Sequence, residues 1–252
     1  MSKSSLVSYT KISPNRTSPR NHKIDTVTIH CAVGQFTAKQ LLNLSHFVNY
    51  DPKKGASCNY AIGYDGSIGL GVDEGDRSWC SSNSSNDHRA ITIEVASETE
   101  HPYEVTDKAY KALINLLVDI CKRNKIKELK WEADKSLVGK IDKQNMTVHR
   151  WFANKSCPGD YLYSRHGRIA KEVNTRLNKT QASTSKTYKV AIDIPNLNIR
   201  KGPGTNYSKT GTYTGKGVFT IVDEAKGPGS TRGWGKLKIG VGWVSLDFTT
   251  KI

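Results

Sequence analysis

Residues 178 to 187 read Asn-Lys-Thr-Gln-Ala-Ser-Thr-Ser-Lys-Thr, one alanine among polar side chains. Such a stretch offers no apolar face to a core and reads as a linker. In a chain of 252 residues it predicts two separate units. The expected divisions are 1–177, a linker at 178–187, and 188–252. Each part has its own apolar runs, enough for a core of its own.

The first part mixes strands and helices. Thr26-Val27-Thr28-Ile29-His30 is rich in β-branched residues and reads as a strand. Leu41, Leu42, Leu44, Phe47 and Val48 recur at helical spacing, with Thr37 as N-cap. Cys58 to Val72 reads as two strands joined through Asp65-Gly66, a hairpin signal. Ala90 to Ala96 is a further strand. Thr106 to Lys125 is the clearest helix, its stripe formed by Tyr110, Leu113, Ile114, Leu117, Ile120 and Cys121. Met146 to His149 is a short strand, and Ser164 to Leu177 a closing helix. The expected fold is α/β, a mixed β-sheet covered by helices. The last part has no helical period. Runs such as Gly217-Val218-Phe219-Thr220-Ile221-Val222 and Gly242-Trp243-Val244, punctuated by Gly and Pro, predict a small all-β barrel or sandwich.

Charge narrows the partners. The net charge is +15, and residues from Lys186 onward carry a net +7. That favours polyanions through long-range steering, without choosing among nucleic acid, anionic lipid and wall polymer. No helix-turn-helix, zinc-finger or RNA-binding signature accompanies the charge, so nucleic acid ranks low. No apolar run is long enough to span a bilayer. Nor does the start, Met1 to Val7, hold an apolar core of signal-peptide length, so synthesis in the cytoplasm without the ordinary export route is expected. Five cysteines, at 31, 58, 80, 121 and 157, are an odd count without CxxC spacing, which argues against a disulfide framework.

Two histidines end strands: His30 and His149. Cys157 follows in His-Arg-Trp-Phe-Ala-Asn-Lys-Ser-Cys-Pro-Gly-Asp. Two imidazoles and a thiolate can hold Zn²⁺ and leave a fourth position open, the arrangement of a catalytic site. Spacing alone is a weak signal, because a lone Cys is also a common core residue.

At this point the sequence resembles a family. Thr-Val-Thr-Ile-His30, Ser-Cys-Asn-Tyr60-Ala-Ile, Ala-Ile-Thr-Ile-Glu94-Val and the His149 to Cys157-Pro-Gly run occur in the order of the zinc N-acetylmuramoyl-L-alanine amidases related to phage amidases and peptidoglycan recognition proteins. The resemblance covers nearly all of 20 to 177. It implies His30, His149 and Cys157 as zinc ligands, and bacterial peptidoglycan as substrate. Relatives often carry Asp at the third ligand position, and inactive recognition proteins often Ser, so Cys157 implies a catalyst. The same matching suggests Tyr60 near the metal, Glu94 as general base and Lys155 as an oxyanion partner. Each has a plainer reading: a strand aromatic, an edge-strand carboxylate and a solvated loop lysine. Glu94 should face away from Ile93 and Val95. Cys31 should point away from the site, and Cys58, Cys80 and Cys121 read as buried thiols.

The tail resembles a bacterial SH3-like domain through Leu197-Asn198-Ile199-Arg200-Lys201-Gly202-Pro203-Gly204-Thr205-Asn206-Tyr207, Gly233-Trp234-Gly235-Lys236 and Gly242-Trp243-Val244. That resemblance implies wall binding, and the basic surface suits anionic wall polymers. Together the two resemblances imply a phage or prophage endolysin released through a holin pore. A bacterial autolysin and a wall-binding protein without activity are the alternatives.

Overall fold

The structure, a computed structural model, describes residues 3–183 and 187–252. The chain forms two compact units, Met1–Leu177 and Asn178–Ile252.

Six strands make the sheet of the first unit, in the order Tyr9–Thr10, Ile68–Leu70, Tyr60–Ile62, Ala90–Val95, Thr26–Cys31 and Met146–Thr147. All neighbours are parallel except the hairpin pair 60–62 and 68–70. The hairpin turns where Asp65-Gly66 predicts it. Gly66 takes φ +84°, which glycine adopts without steric cost, and Asp65 Oδ1 accepts from both the amide and the hydroxyl of Ser67.

Side-chain alternation gives this sheet two chemically distinct faces. Val27, Ile29, Tyr60, Ile62, Ile91, Ile93 and Val95 enter the main core. The helix Asp107–Arg123 packs Leu113, Ile114, Leu117 and Ile120 into the same core, and the helix Gly159–Ser183 adds Leu162, Ile169 and Val173. Thr106 caps the first of these by accepting from the Ala109 amide. Truncating a residue as buried as Leu117 to Ala should cost about 2–5 kcal/mol.

The other face is polar. Thr28 and Thr147 share a hydrogen bond of 2.7 Å, and Thr92 and Ser78 another of 2.7 Å. Asn86 donates to Thr28 Oγ1 at 3.0 Å and accepts from Thr147 Oγ1 at 2.9 Å. These bonds satisfy hydroxyls that burial would otherwise penalise. Toward the hairpin the same face is covered by a smaller apolar cluster of Ala38, Leu41, Leu42, Phe47, Cys58 and Ala61.

Several boundaries differ from the sequence reading. The segment after Thr37 is two short helices, Ala38–Leu42 and Ser45–Val48, and Thr37 with Gln40 forms a reciprocal cap at its start. The strand ending at His149 stops at Thr147, and His149–Trp151 is a 3₁₀ turn. The closing helix begins earlier, at Gly159, because its apolar stripe continues back to Leu162. It also runs on to Ser183, where no Gly or Pro stops it. The first six residues of the 178–187 stretch are thus helical, and 184–186 lie outside the described residues.

The second unit is a seven-stranded antiparallel sheet in the order Lys209–Tyr213, Asn198–Arg200, Trp243–Ser245, Trp234–Leu237, Gly217–Ala225, Tyr188–Ile192 and Thr250–Lys251. Its core is Val190, Ile192, Leu197, Ile199, Ile221, Leu237, Val244 and Leu246. Among the described residues no helix is long and apolar enough to cross a membrane.

Candidate metal centre

Parallel strands present their carboxyl ends at one edge of a sheet, where sites of α/β folds lie. His30 and Glu94 are register partners on adjacent parallel strands, each one residue from its strand's end. His149 follows the neighbouring strand Met146–Thr147 by two residues. The loop after it returns Cys157 to the same edge, packed against the main core.

One side-chain atom each of His30, His149 and Cys157 lie within 4.8 Å of one another. Cys157 Sγ is 3.3 Å from His30 Nδ1, and the two imidazole centroids are 5.2 Å apart in an edge-on arrangement. Two ligands of one tetrahedral zinc, bonded at about 2.3 Å (sulfur) and about 2.0 Å (nitrogen), sit about 3.5 Å apart. The donor chemistry and this separation fit zinc.

Electrostatics suit the same role. Burial, helped by the nearby His149, pushes His30 down to about 3. His149 is lowered by burial and by the charge of Lys155. Both shifts favour the neutral imidazole, the form that ligates a metal. A hydrogen bond with Cys31 and burial raise the Cys157 thiol, and a bound cation reverses such a shift by holding the thiolate.

Glu94 sits beside the cluster, with Oε1 3.8 Å from His30 Nδ1 and its side chain 15% exposed. Burial, with a smaller contribution from Cys31, pushes it up to about 8. Its Oε2 is buried without a hydrogen-bond partner. A carboxyl raised this far from its usual range can hold a proton near neutral pH. The thiol of Cys80 donates to Oε1 at 3.7 Å, and His30, Cys80 and Glu94 form a second close group of donors. That group shares His30 with the first and so describes the same pocket. Lys155 is exposed in the loop between His149 and Cys157.

Tyr60 is a correction. Its neighbour Ala61 is the register partner of Glu94, whereas Tyr60 pairs with Ile93. Alternation therefore turns Tyr60 to the opposite face of the sheet, into the main core. There its hydroxyl donates to Glu74 Oε1 at 2.6 Å and accepts from the Ser4 amide at 2.9 Å. Arg123 closes the group by pairing with Glu74 at 2.5 Å. A residue on the far face of the sheet cannot touch a reaction at His30. Cys31 does face the core, as expected, yet it also reaches Cys157 through a thiol hydrogen bond. Cys80 and Ser82, the latter 3.0 Å from His149 Nε2, join the site without any motif; only the fold brings residues 67 positions apart together.

Two imidazoles, a thiol and a raised carboxyl thus meet at the carboxyl edge of an α/β sheet, and the imidazoles and thiol could hold a metal ion. The sequence profile of the N-acetylmuramoyl-L-alanine amidase family matches residues 20–160, more than half of the chain. The chain belongs to that family, and its first unit is a peptidoglycan amidase domain. No curated protein matches it. Similar solved structures include an AmpD derivative, at 18% identity over 67% of this chain and 96% of that one, TM-score 0.48. The endolysin LysCS from Clostridium intestinale URNW is 16% identical over 68% and 97%, TM-score 0.42. Drosophila peptidoglycan recognition protein SD is 17% identical over 61% and 85%, TM-score 0.46. The family assignment rests on the profile and not on these likenesses.

Proposed function

We propose that this chain hydrolyses the amide bond between N-acetylmuramic acid and the L-alanine of the stem peptide, with Zn²⁺ held by His30, His149 and Cys157. The observation that carries the reading is the meeting of these three donor atoms within 4.8 Å inside the stretch matched by the amidase family. Bound zinc would supply Lewis acidity to the amide carbonyl and acidify water. The chain's own residues do the rest. Glu94 takes a proton from the attacking water through its unpartnered Oε2. Lys155 brings a cation to the oxygen that gains charge as the carbonyl carbon becomes tetrahedral. When the C–N bond breaks, the proton on Glu94 is at hand for the leaving nitrogen.

The second unit serves as an SH3-like wall-binding domain, making the whole a wall hydrolase of endolysin type that acts on the cell wall. Its proposed partners are peptidoglycan and anionic wall polymers. Cross-strand pairing aligns Lys209 with Arg200, Arg200 with Trp243, and Trp243 with Lys236. Their sequence neighbours Ile199, Val244 and Leu237 point into the core, so this row faces outward. Lys236 Nζ lies 6.0 Å from the Trp243 ring. Cations flanking an aromatic suit a polymer that alternates phosphates with apolar ring or polyol faces.

The test is mass spectrometry of purified wall after digestion. New L-alanine amino termini, without new sugar reducing ends, are expected. New reducing ends alone would overturn the assignment.

A further inference from the structure

We propose that Ser82 is a positioning residue of the metal centre, its hydroxyl fixing the ring orientation and tautomer of His149. The inference rests on reading His149 as a metal ligand.

Ser82 Oγ lies 3.0 Å from His149 Nε2. With that nitrogen engaged, Nδ1 is the one left for a metal. A neutral imidazole ligating through Nδ1 carries its proton on Nε2, and that N–H donates to the serine oxygen. Outer partners of this kind hold a ligand ring at the angle the metal needs. His30 offers the matching nitrogen, since its Nδ1 is the atom facing Cys157.

The backbone at Ser82 supports a dedicated role. Its φ is +60°, a left-handed conformation that non-glycine residues rarely hold unless the surroundings impose it. Here they do. The buried carboxylate of Asp87 accepts from the amides of Cys80 and Ser81 and from Ser81 Oγ. On the other side, the Asn83 side chain accepts from the Asn86 amide and caps the short helix Ser84–Arg89. Asn86 Nδ2 donates to Ser81 Oγ at 3.1 Å and to Thr28 Oγ1 at 3.0 Å, and its Oδ1 accepts from Thr147. Thr28 and Thr147 stand two residues before His30 and His149. The turn bearing Ser82 is thereby tied to both strands that deliver the histidines. Glycine would suit this φ better. What serine adds is a hydroxyl, and that hydroxyl meets His149 Nε2.

The experiment compares full-length Ser82→Gly, Ser82→Ala and Ser82→Asn with the parent. Zinc affinity is measured by competition with a chromophoric chelator, and the melting temperature is taken on metal-free protein. Glycine removes the hydroxyl while relaxing the backbone, so metal-free Ser82→Gly should melt no lower than the parent. Its zinc affinity should nevertheless fall about 10- to 100-fold, the scale of lost outer partners, as should that of Ser82→Ala. Ser82→Asn tolerates the left-handed backbone and offers an acceptor oxygen, and should recover most of the affinity. Parent-like zinc affinity in both Ser82→Gly and Ser82→Ala overturns the proposal. His149→Ala is the control. If it keeps parent affinity, the metal-centre reading itself fails. If it loses zinc while the Ser82 variants do not, only the role of Ser82 falls.

Discussion

Replacing Tyr60 by Phe removes one oxygen from the far side of the sheet and leaves the aromatic ring in place. The hydroxyl makes two buried bonds, donating to Glu74 and accepting from the Ser4 amide. Glu74 is 1% exposed and keeps Arg123 as its partner, so its charge stays compensated. It still loses a hydrogen bond to a charged group, worth about 1.5–3 kcal/mol, and the Ser4 amide loses its acceptor at about 1–3 kcal/mol. Allowing for relaxation, the expected loss is about 3 kcal/mol. For a unit of this size that is a fall in melting temperature of about 6–12 °C. Turnover on a soluble muropeptide, measured well below the transition, should stay within about twofold of the parent. Differential scanning calorimetry and a muropeptide assay on one preparation give both numbers. A variant that melts like the parent but turns over about 100-fold more slowly, the scale of lost acid–base help, would refute the placement of Tyr60.

Other expectations follow from the same geometry. Glu94→Gln should lower turnover by about 10²-fold or more with zinc still bound, and Lys155→Ala should lower turnover with little change in wall binding; a Glu94→Gln enzyme with parent kinetics would leave Glu94 a structural role only. Burial holds His166 down to about 4, against about 6.5 when unfolded. Its contribution to stability is thus complete above pH 6.5 and lost as pH falls toward 4, at about 1.4 kcal/mol per unit and about 3 kcal/mol in all. Denaturant titrations of His166→Leu should show a flatter loss across that window, and a slope equal to the parent's would contradict it. Removing 188–252 should spare muropeptide hydrolysis, because all three donors precede residue 158, but should weaken lysis of whole cells; undiminished lysis would count against wall targeting.

The strands that carry the chemistry were legible in sequence because β-branched runs end in the residues that matter: Thr-Val-Thr-Ile-His30 and Ala-Ile-Thr-Ile-Glu94-Val. Alternation within the second run already placed Glu94 opposite Ile93 and Val95. What a single strand cannot reveal is its register against its neighbours. Tyr60 and Ala61 differ by one position, and only the pairing of Ala61 with Glu94 decides which faces the site. The turn from Cys80 to Asp87 was hidden for another reason. Its order comes from side-chain bonds to Asp87 and Asn86, which leave no hydrophobic period to read. The strand Tyr9–Thr10 is two residues long, too short to carry a pattern, and exists through pairing with Ile68–Leu70.

The most direct test of the account is metal content set beside fold. Elemental analysis of the purified chain should give one zinc per molecule. Cys157→Ser should keep the parent's circular dichroism spectrum, lose tight zinc and lose muropeptide hydrolysis together. A Cys157→Ser protein that retains a full equivalent of zinc and hydrolyses at the parent rate would contradict the assignment of His30, His149 and Cys157 as the metal centre.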